Sequence, residues 1–117
     1  MSTPTQIEPS HLPATIQTYL TAHAAGEAAV AAGVFTPDAV VVDDGHTYRG
    51  SSEVLDFLNK AGGEYSYTTE LIGAEHVDDQ HWVAINRLEG DFPGGLVDLR
   101  YRFALDGERI AELVIAP

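Results

Sequence analysis

Three ionisable side chains lie close together in the middle of the chain, at Asp43, Asp44 and His46. A β-branched run before them predicts a strand, in which Asp43 shares a face with Ala39 and Val41. Asp44 lies on the other face and precedes the glycine of a hairpin turn. A carboxylate that points into an apolar interior has a raised pKa and suits general acid or base catalysis, whereas a turn aspartate caps the backbone. The sequence leaves open which aspartate faces inward, and His46 is near enough to share a proton with either.

A tyrosine and a histidine occupy one stripe of the first predicted helix, which is expected to begin at the cap Ser10 and to end at Gly26. The stripe recurs at helical spacing through Leu12, Ile16, Tyr19, Leu20 and His23. Tyr19 and His23 therefore point toward the core or toward a pocket. A buried hydroxyl or imidazole usually finds a structural hydrogen-bond partner, and this is the alternative to a functional role for both.

Two further histidines, His76 and His81, flank a turn that contains Asp78 and Asp79. These residue types can bind metal ions, but their spacing matches no recognised metal motif, and a solvated hairpin tip explains them. The chain has no cysteine, which excludes disulfides, thiolate nucleophiles and iron–sulfur clusters. It also lacks a phosphate-binding loop and a dinucleotide fingerprint. We therefore expect no metal and no cofactor.

The charge of the chain limits its partners. Eighteen acidic and six basic residues among 117 give a net charge of -12, which opposes binding to nucleic acid and to anionic lipid. Residues 1–9 are polar and have neither the basic start nor the apolar run of a secretory signal, and no stretch is long enough to span a membrane. We expect a disordered lead-in over residues 1–9, one domain over residues 10–117, and a cytoplasmic protein without nucleic-acid or membrane partners.

Two more helices and a hairpin are expected in the first half of the chain. Asp44 and Gly45 predict the turn between a strand that ends at Asp43 and a second short strand. The second helix covers residues 27–34 and buries Val30, Val34 and Phe35. The third begins at the cap Ser51, ends at Gly62 and Gly63, and buries Val54, Leu55 and Leu58.

After Gly63 the apolar residues alternate with a period of two, which predicts four strands. Their expected bounds are Tyr65 to Val77, His81 to Glu89, Leu96 to Leu105 and Arg109 to Ile115. Short turns make consecutive strands antiparallel, and strands this long twist and curve. The fold class is therefore α+β: three N-terminal helices on a strongly curved, mixed but mostly antiparallel sheet of about six strands. Such a cone has an apolar interior that suits a small apolar or aromatic molecule.

The last predicted strand is apolar on both faces over residues 110–115. One face can pack against the helices, and the other needs a partner. We therefore expect a homodimer that forms through the outer face of the sheet.

The order of these elements resembles a known superfamily. Its most telling segments are residues 35–45 (FTPDAVVVDDG), residues 48–51 (YRGS) at the start of a helix, and residues 102–110 (RFALDGERI) between long strands. Together they resemble the nuclear transport factor 2 (NTF2)-like superfamily with its cystatin-like cone, and within it the SnoaL-like proteins, which include polyketide cyclases and are similar to ketosteroid isomerases. The resemblance covers about residues 12–117 and specifies fold more than function.

The resemblance assigns roles to individual residues. Steroid isomerases use a tyrosine on the first helix to stabilise an enolate and an aspartate after the first strand to move a proton, and the second oxyanion donor is a protonated aspartate. The matching positions here are Tyr19 and Asp43. The second oxyanion donor falls at or beside Leu99. Asp98 is adjacent, but an offset of one residue in a strand places its side chain on the opposite face. A further tyrosine of that network falls near Leu58. The resemblance thus implies a cofactor-independent isomerase or cyclase with Asp43 and Tyr19 as catalytic residues.

A second hypothesis is a non-catalytic ligand-binding or assembly domain on the same fold, in which the polar groups only orient a ligand. On either hypothesis the inward faces of the strands supply the pocket wall, because Tyr101 and Phe103 share a face with Leu99. The expected pocket residues are Ile16, His23, Val41, His46, Leu58, Trp82, Leu99, Tyr101 and Phe103.

Overall fold

A computed structural model describes residues 4–60 and 67–117. It contains seven strands: β1 Thr5–Ile7, β2 Phe35–Asp43, β3 His46–Arg49, β4 Tyr67–Asp78, β5 His81–Gly90, β6 Leu96–Asp106 and β7 Arg109–Ala116. The helices are α1 Ala14–Ala24, α2 Ala28–Ala32 and α3 Gly50–Lys60, and one 3-10 turn covers Pro9–His11. None of the helices in the described ranges is both long and apolar enough to cross a membrane.

One mixed sheet carries all seven strands in the order β1-β4-β5-β6-β7-β2-β3. The long strands β4 to β7 pair antiparallel with their sequence neighbours, as predicted, and β2 pairs parallel with β7. Register shifts interrupt β4, β6 and β2, and such bulges increase the bend of a sheet. The sheet therefore curves around the helices and has an inner and an outer face.

The core lies between the inner face and the helices. Tyr19 and Ile16 of α1 are fully buried against inner-face side chains that include Phe103 and Leu113. Register assigns the face of each strand residue, because residues paired across neighbouring strands point to the same side. Val41, Leu113 and Phe103 form one such inner row.

The hairpin between β2 and β3 forms where Asp44 and Gly45 predict it. Both residues have positive φ, 51° and 77°, which is the backbone of the two-residue turn that suits a twisted hairpin. Asp43 pairs with His46 directly across this turn. The turn therefore fixes Asp43 on the inner face and places Asp44 at the rim.

The N-terminal segments differ from the sequence-based prediction. The sheet has seven strands instead of about six, because Thr5–Ile7 pairs with β4 although residues 1–9 were expected to be a disordered lead-in. Helix α1 begins at Ala14 and not after Ser10, since Leu12 is extended and Pro13 precedes the first helical residue. Proline lacks an amide hydrogen and fixes its φ, so it is well suited to this boundary.

The buried sides of the two shorter helices also differ in detail. Helix α2 has only five residues, and it buries Ala31 while Val30 is 50% exposed. Helix α3 buries Val54 and Leu58 as expected, but its third buried residue is Phe57, and Leu55 is 37% exposed. The expected end at Gly62 and Gly63, and the expected start of β4 at Tyr65, lie outside the described residues.

A buried leucine and an exposed leucine together test this description of the core. Leu113 is fully buried, whereas Leu96 is 54% exposed. We expect Leu113→Ala to lower the free energy of unfolding by about 2–5 kcal/mol, because it leaves a cavity among packed side chains. Leu96→Ala should change it by less than about 0.5 kcal/mol. Urea denaturation followed by circular dichroism measures both, and similar losses in the two variants would contradict this description of the core.

Candidate functional site

A cavity of about 370 Å³ opens at one end of the cone. The ends of β2, β5 and β7 meet the starts of β4 and β6 there, because antiparallel neighbours bring those ends together. Helices α1 and α3 contribute His23 and Phe57. The remaining lining residues are Asp43, Asp44, Tyr67, Leu88, Phe92, Val97, Leu99, Tyr101, Ile115, Ala116 and Pro117. The wall is mainly apolar and aromatic, and its polar side chains are His23, Asp43, Asp44, Tyr67 and Tyr101.

Asp43 supplies a carboxylate to this cavity. It lies on the inner face between His46 of β3 and Ile115 of β7, and it is partly buried. Burial raises the pKa of Asp43 because the charged form loses solvation, and the neighbouring carboxylate of Asp44 raises it further. His46 opposes this shift. Asp43 is thus the inward member of the aspartate pair, and Asp44 is exposed at the rim.

Tyr19 lies fully buried beneath the cavity. Its ring faces that of His23 with 5.5 Å between centroids, and it meets the rings of Phe35 and Phe103 edge-on at 5.5 and 5.6 Å. Its hydroxyl has no hydrogen-bond partner among the described residues. Burial raises the pKa of Tyr19, so the phenol keeps its proton at neutral pH. The hydroxyl is therefore a donor without an acceptor.

Two further tyrosines surround the carboxylate. The inward faces of β4 and β6 bring Tyr67 and Tyr101 to the cavity wall. Burial is the largest cause that raises the pKa of each of them, and the charge of Asp43 raises both as well. The Asn86 side chain beside the Tyr101 hydroxyl partly opposes the shift of Tyr101.

Three phenols and one carboxylate thus form a single electrostatic group, in which every pair interacts. All three phenols stay neutral, since each has a raised pKa. The cavity wall therefore combines one carboxylate with two neutral phenols, those of Tyr67 and Tyr101, and the third phenol, that of Tyr19, is buried beneath it.

His23 connects the helices to the site. Its ring is nearly parallel to the rings of Tyr19 and Phe57, with interplanar angles of 8° and 11°. Burial lowers the pKa of His23, so the imidazole is neutral at neutral pH. No lysine or arginine lines the cavity among the described residues. Within the described ranges, no group of three histidine or acidic side chains is arranged to hold a metal ion.

The structure divides the predicted site residues into three groups. Asp43, His23, Leu99 and Tyr101 line the cavity. Tyr19, Ile16, Val41, Leu58 and Phe103 lie in the core beneath it. His46 is exposed beside Asp43 at the hairpin, and Trp82 lies further along the inner face, stacked on His76 with 4.1 Å between ring centroids. Trp82 pairs across the sheet with Phe103 but does not line the cavity that contains Asp43.

Several lining residues were not predicted. Tyr67 and Leu88 approach the cavity only through strand register, which the sequence does not give. To predict Phe57, one would have needed the rotation of α3 about its axis, which decides the residues that face the cavity. Ile115 alternates in phase with the other inward residues of its strand, and this signal could have identified it. Val97 alternates in phase with Leu99 and Tyr101, which places it on the face expected to form the core or the cavity wall.

Known structures resemble the chain closely. A protein from Sinorhizobium meliloti described as a "putative polyketide cyclase" is 30% identical over 94% of this chain and all of that chain, with a TM-score of 0.86. A Catenulispora acidiphila protein of ketosteroid isomerase-like fold, in complex with trimethylamine, is 15% identical over 90% of this chain and 85% of that one, with a TM-score of 0.78. An NTF2-like protein of unknown function from Cytophaga hutchinsonii has 12% identity, coverage of 96% and 91%, and a TM-score of 0.71.

No family model matches the sequence, and no curated protein matches it either. The seven-stranded curved sheet, its three helices and the extent of the first similarity are sufficient for a class assignment. The chain belongs to the NTF2-like superfamily and resembles its SnoaL-like members.

The raised pKa of Asp43 predicts a stability change with a defined sign. In the unfolded chain this carboxyl titrates near 3.8, and in the folded chain it titrates higher. The wild type therefore loses stability as the pH rises from about 3.8 through the folded pKa, because ionisation is less favourable in the folded state. Asp43→Asn avoids this loss. We expect its melting temperature, relative to the wild type, to rise by a few degrees between pH 3.5 and pH 7.

Asp98→Asn is the matched control with the opposite sign. The Arg87 guanidinium hydrogen bonds to Asp98 at 2.8 Å and lowers the pKa of that carboxyl. The ionised Asp98 stabilises the fold above its unfolded pKa, and this stabilisation is lost as the pH falls. The melting temperature of Asp98→Asn, relative to that of the wild type, should therefore decrease as the pH is raised from 3.5 to 7. Thermal melts at several pH values measure both variants. A decrease in the relative melting temperature of Asp43→Asn over the same pH range would contradict the environment described for Asp43.

Proposed function

We propose that this protein binds a small, largely apolar molecule in the cavity and moves a proton next to a carbonyl group of that molecule. The observation that carries the proposal is the partly buried Asp43 carboxylate, which faces an apolar wall and interacts with three neutral phenols. A cavity of about 370 Å³ falls within the size range of small-molecule sites.

The proposed reaction uses Asp43 as the base. Its carboxylate takes a proton from the carbon next to the carbonyl, and the electron pair of the broken C–H bond moves to the carbonyl oxygen as an enolate. A tyrosine hydroxyl donates a hydrogen bond to that oxygen. In an isomerase, Asp43 then returns the proton to carbon at a new position. In a cyclase, the enolate carbon instead attacks a second carbonyl group of the same molecule, and Asp43 gives the proton to the alkoxide oxygen formed there. A base with a raised pKa suits this exchange, since its proton affinity lies closer to neutrality.

Tyr101 is the proposed oxyanion donor, because it lines the cavity. Tyr19, to which the resemblance assigns this role, is fully buried beneath the cavity, and its hydroxyl has no hydrogen-bond partner among the described residues. Leu99 stands where the steroid isomerases carry their second donor. Tyr101 lies on the same strand face two residues further along, so it can take that role.

The alternative is a ligand-binding domain without catalysis. The same cavity would then hold its ligand through the apolar wall, and the phenols and Asp43 would only orient it. The apolar side chain of Leu99 at the second donor position favours this alternative, because an enolate with one hydrogen bond is less stabilised. Binding without turnover distinguishes the two.

Deuterium exchange on 2-tetralone, a small aromatic ketone, tests the proposal. The wild type should accelerate exchange of the protons next to the carbonyl in D₂O, as followed by NMR. Asp43→Asn should lower that rate by at least about tenfold with little change in ketone affinity, because only the transition state needs the base. Asp44→Asn is the matched control and should retain most of the rate. Equal exchange in the wild type and Asp43→Asn would leave the protein as a binder.

We also propose a homodimer that forms through the outer face of the sheet. One row across this face contains Val42, Val114, Arg102 and Val83. Glu112 lies one row away and is exposed, as is Arg102. In a two-fold dimer the same surface meets itself, so Arg102 of each copy can pair with Glu112 of the other while the half-buried Val42 and Val114 lose their remaining contact with water.

Charge reversal tests this dimer. The wild type should scatter light as a dimer at micromolar concentration after size-exclusion chromatography. Arg102→Glu should shift it toward monomer, because two glutamates would then face each other across the interface. The double variant Arg102→Glu with Glu112→Arg should restore the dimer, since it exchanges the two charges. A monomeric wild type would contradict the proposal.

A further inference from the structure

The charges of the cavity wall all have one sign. Asp43 and Asp44 line it, and neither forms an ion pair with a lysine or arginine in the described part of the chain. Among the described residues, His46 is the neighbour that opposes the charge of Asp43. His23, the histidine in the wall, is held neutral by its lowered pKa. The two carboxylates therefore lack a full counter-charge from the protein.

The uncharged part of the wall is rich in aromatic rings. Phe57, Tyr67, Phe92 and Tyr101 line the cavity together with the imidazole of His23. The faces of such rings carry partial negative charge and attract organic cations, most strongly where water is excluded. Their apolar surface also buries the methyl groups of an alkylated ammonium, which an inorganic ion lacks. The rings and the carboxylates thus favour the same kind of ligand.

Anionic ligands are disfavoured by the same arrangement. The tyrosine hydroxyls can donate hydrogen bonds to a neutral carbonyl oxygen, but a full negative charge would be repelled by the adjacent carboxylates in a partly desolvated site. The net charge of -12 adds a long-range repulsion of the same sign. A ligand that carries a small cationic group avoids both penalties.

We infer that the ligand of this cavity carries a small alkylated ammonium group, held between the carboxylates of Asp43 and Asp44 and the surrounding aromatic rings. The inference rests on the proposed ligand-binding function and narrows its ligand class. It also has a consequence for the proposed chemistry. A cation beside Asp43 favours the ionised carboxylate, which is the form that accepts a proton.

Choline and its uncharged isostere 3,3-dimethyl-1-butanol test the inference, because they differ in charge but hardly in shape. Both are titrated into the full-length protein in 100 mM potassium chloride, with binding followed by NMR chemical-shift changes. We expect choline to bind at least about tenfold more tightly. Equal affinity, or preference for the uncharged alcohol, would overturn the inference.

The double variant Asp43→Asn with Asp44→Asn should lower choline affinity to that of the alcohol. Asparagine tolerates the positive φ of residue 44, so the turn is retained. The matched control is Asp79→Asn with Asp106→Asn, which removes the same charge at exposed turns at the other end of the strands. It should leave choline affinity within about twofold. Equal losses in the two double variants would show non-specific attraction and overturn the inference.

Two substitutions at Tyr67 distinguish the contribution of its aromatic ring from that of its hydroxyl. Tyr67→Phe should retain choline binding, because the aromatic face remains, whereas Tyr67→Leu should weaken it severalfold. Exchange on uncharged 2-tetralone is independent of this preference. If exchange on 2-tetralone persists but choline is not preferred, the cationic ligand is rejected and the proposed function stands. If choline is preferred but no exchange occurs, the cationic ligand stands and the catalytic proposal is rejected.

Discussion

The parallel pairing of β2 with β7 is the contact on which the site depends. It joins the helical first half of the chain to the last strand, and its register sets Asp43 beside Ile115. The antiparallel pairing of β7 with β6 then sets Ile115 beside Tyr101. One row across the inner face therefore runs from the hairpin residue His46 through Asp43 to Tyr101. A shift of one residue would turn Asp43 to the outer face and separate base from phenol.

The same geometry explains why the site is electrostatically unusual. The helices cover most of the inner face but leave the end near Asp43 open, so the carboxylate is partly desolvated, and in the described part of the chain no lysine or arginine lines the cavity beside it. Glu75, which is also partly buried, is by contrast paired with Arg100 at 2.5 Å. An unpaired carboxylate with a raised pKa costs stability in the folded state, and such costs are concentrated at functional sites. This contrast separates Asp43 from the acidic surface.

The sequence predicted the features that depend on local pattern. The alternation of apolar and polar residues predicted the long strands and the shared face of Leu99 and Tyr101. Asp44 and Gly45 predicted the hairpin. It did not give features that depend on tertiary contacts. Strand β1 has only three residues and forms because β4 offers it an edge. The choice of Phe57 over Leu55 depends on how α3 rotates against β2. Trp82 lies on the inner face but outside the cavity that contains Asp43. Alternation gives the face of a residue but not its distance along the sheet.

The carboxyl pKa of Asp43 tests the description of the site most directly. The site is defined by a carboxylate that faces inward, is partly buried and forms no ion pair with a lysine or arginine in the described part of the chain. Carbon-13 NMR of the aspartate carboxyl groups can follow it through a pH titration, with Asp43→Asn for assignment and Asp98 as an internal reference. The account predicts a midpoint for Asp43 above the ordinary value of about 3.9 and one for Asp98 below it. A midpoint for Asp43 at or below the ordinary value would contradict the account.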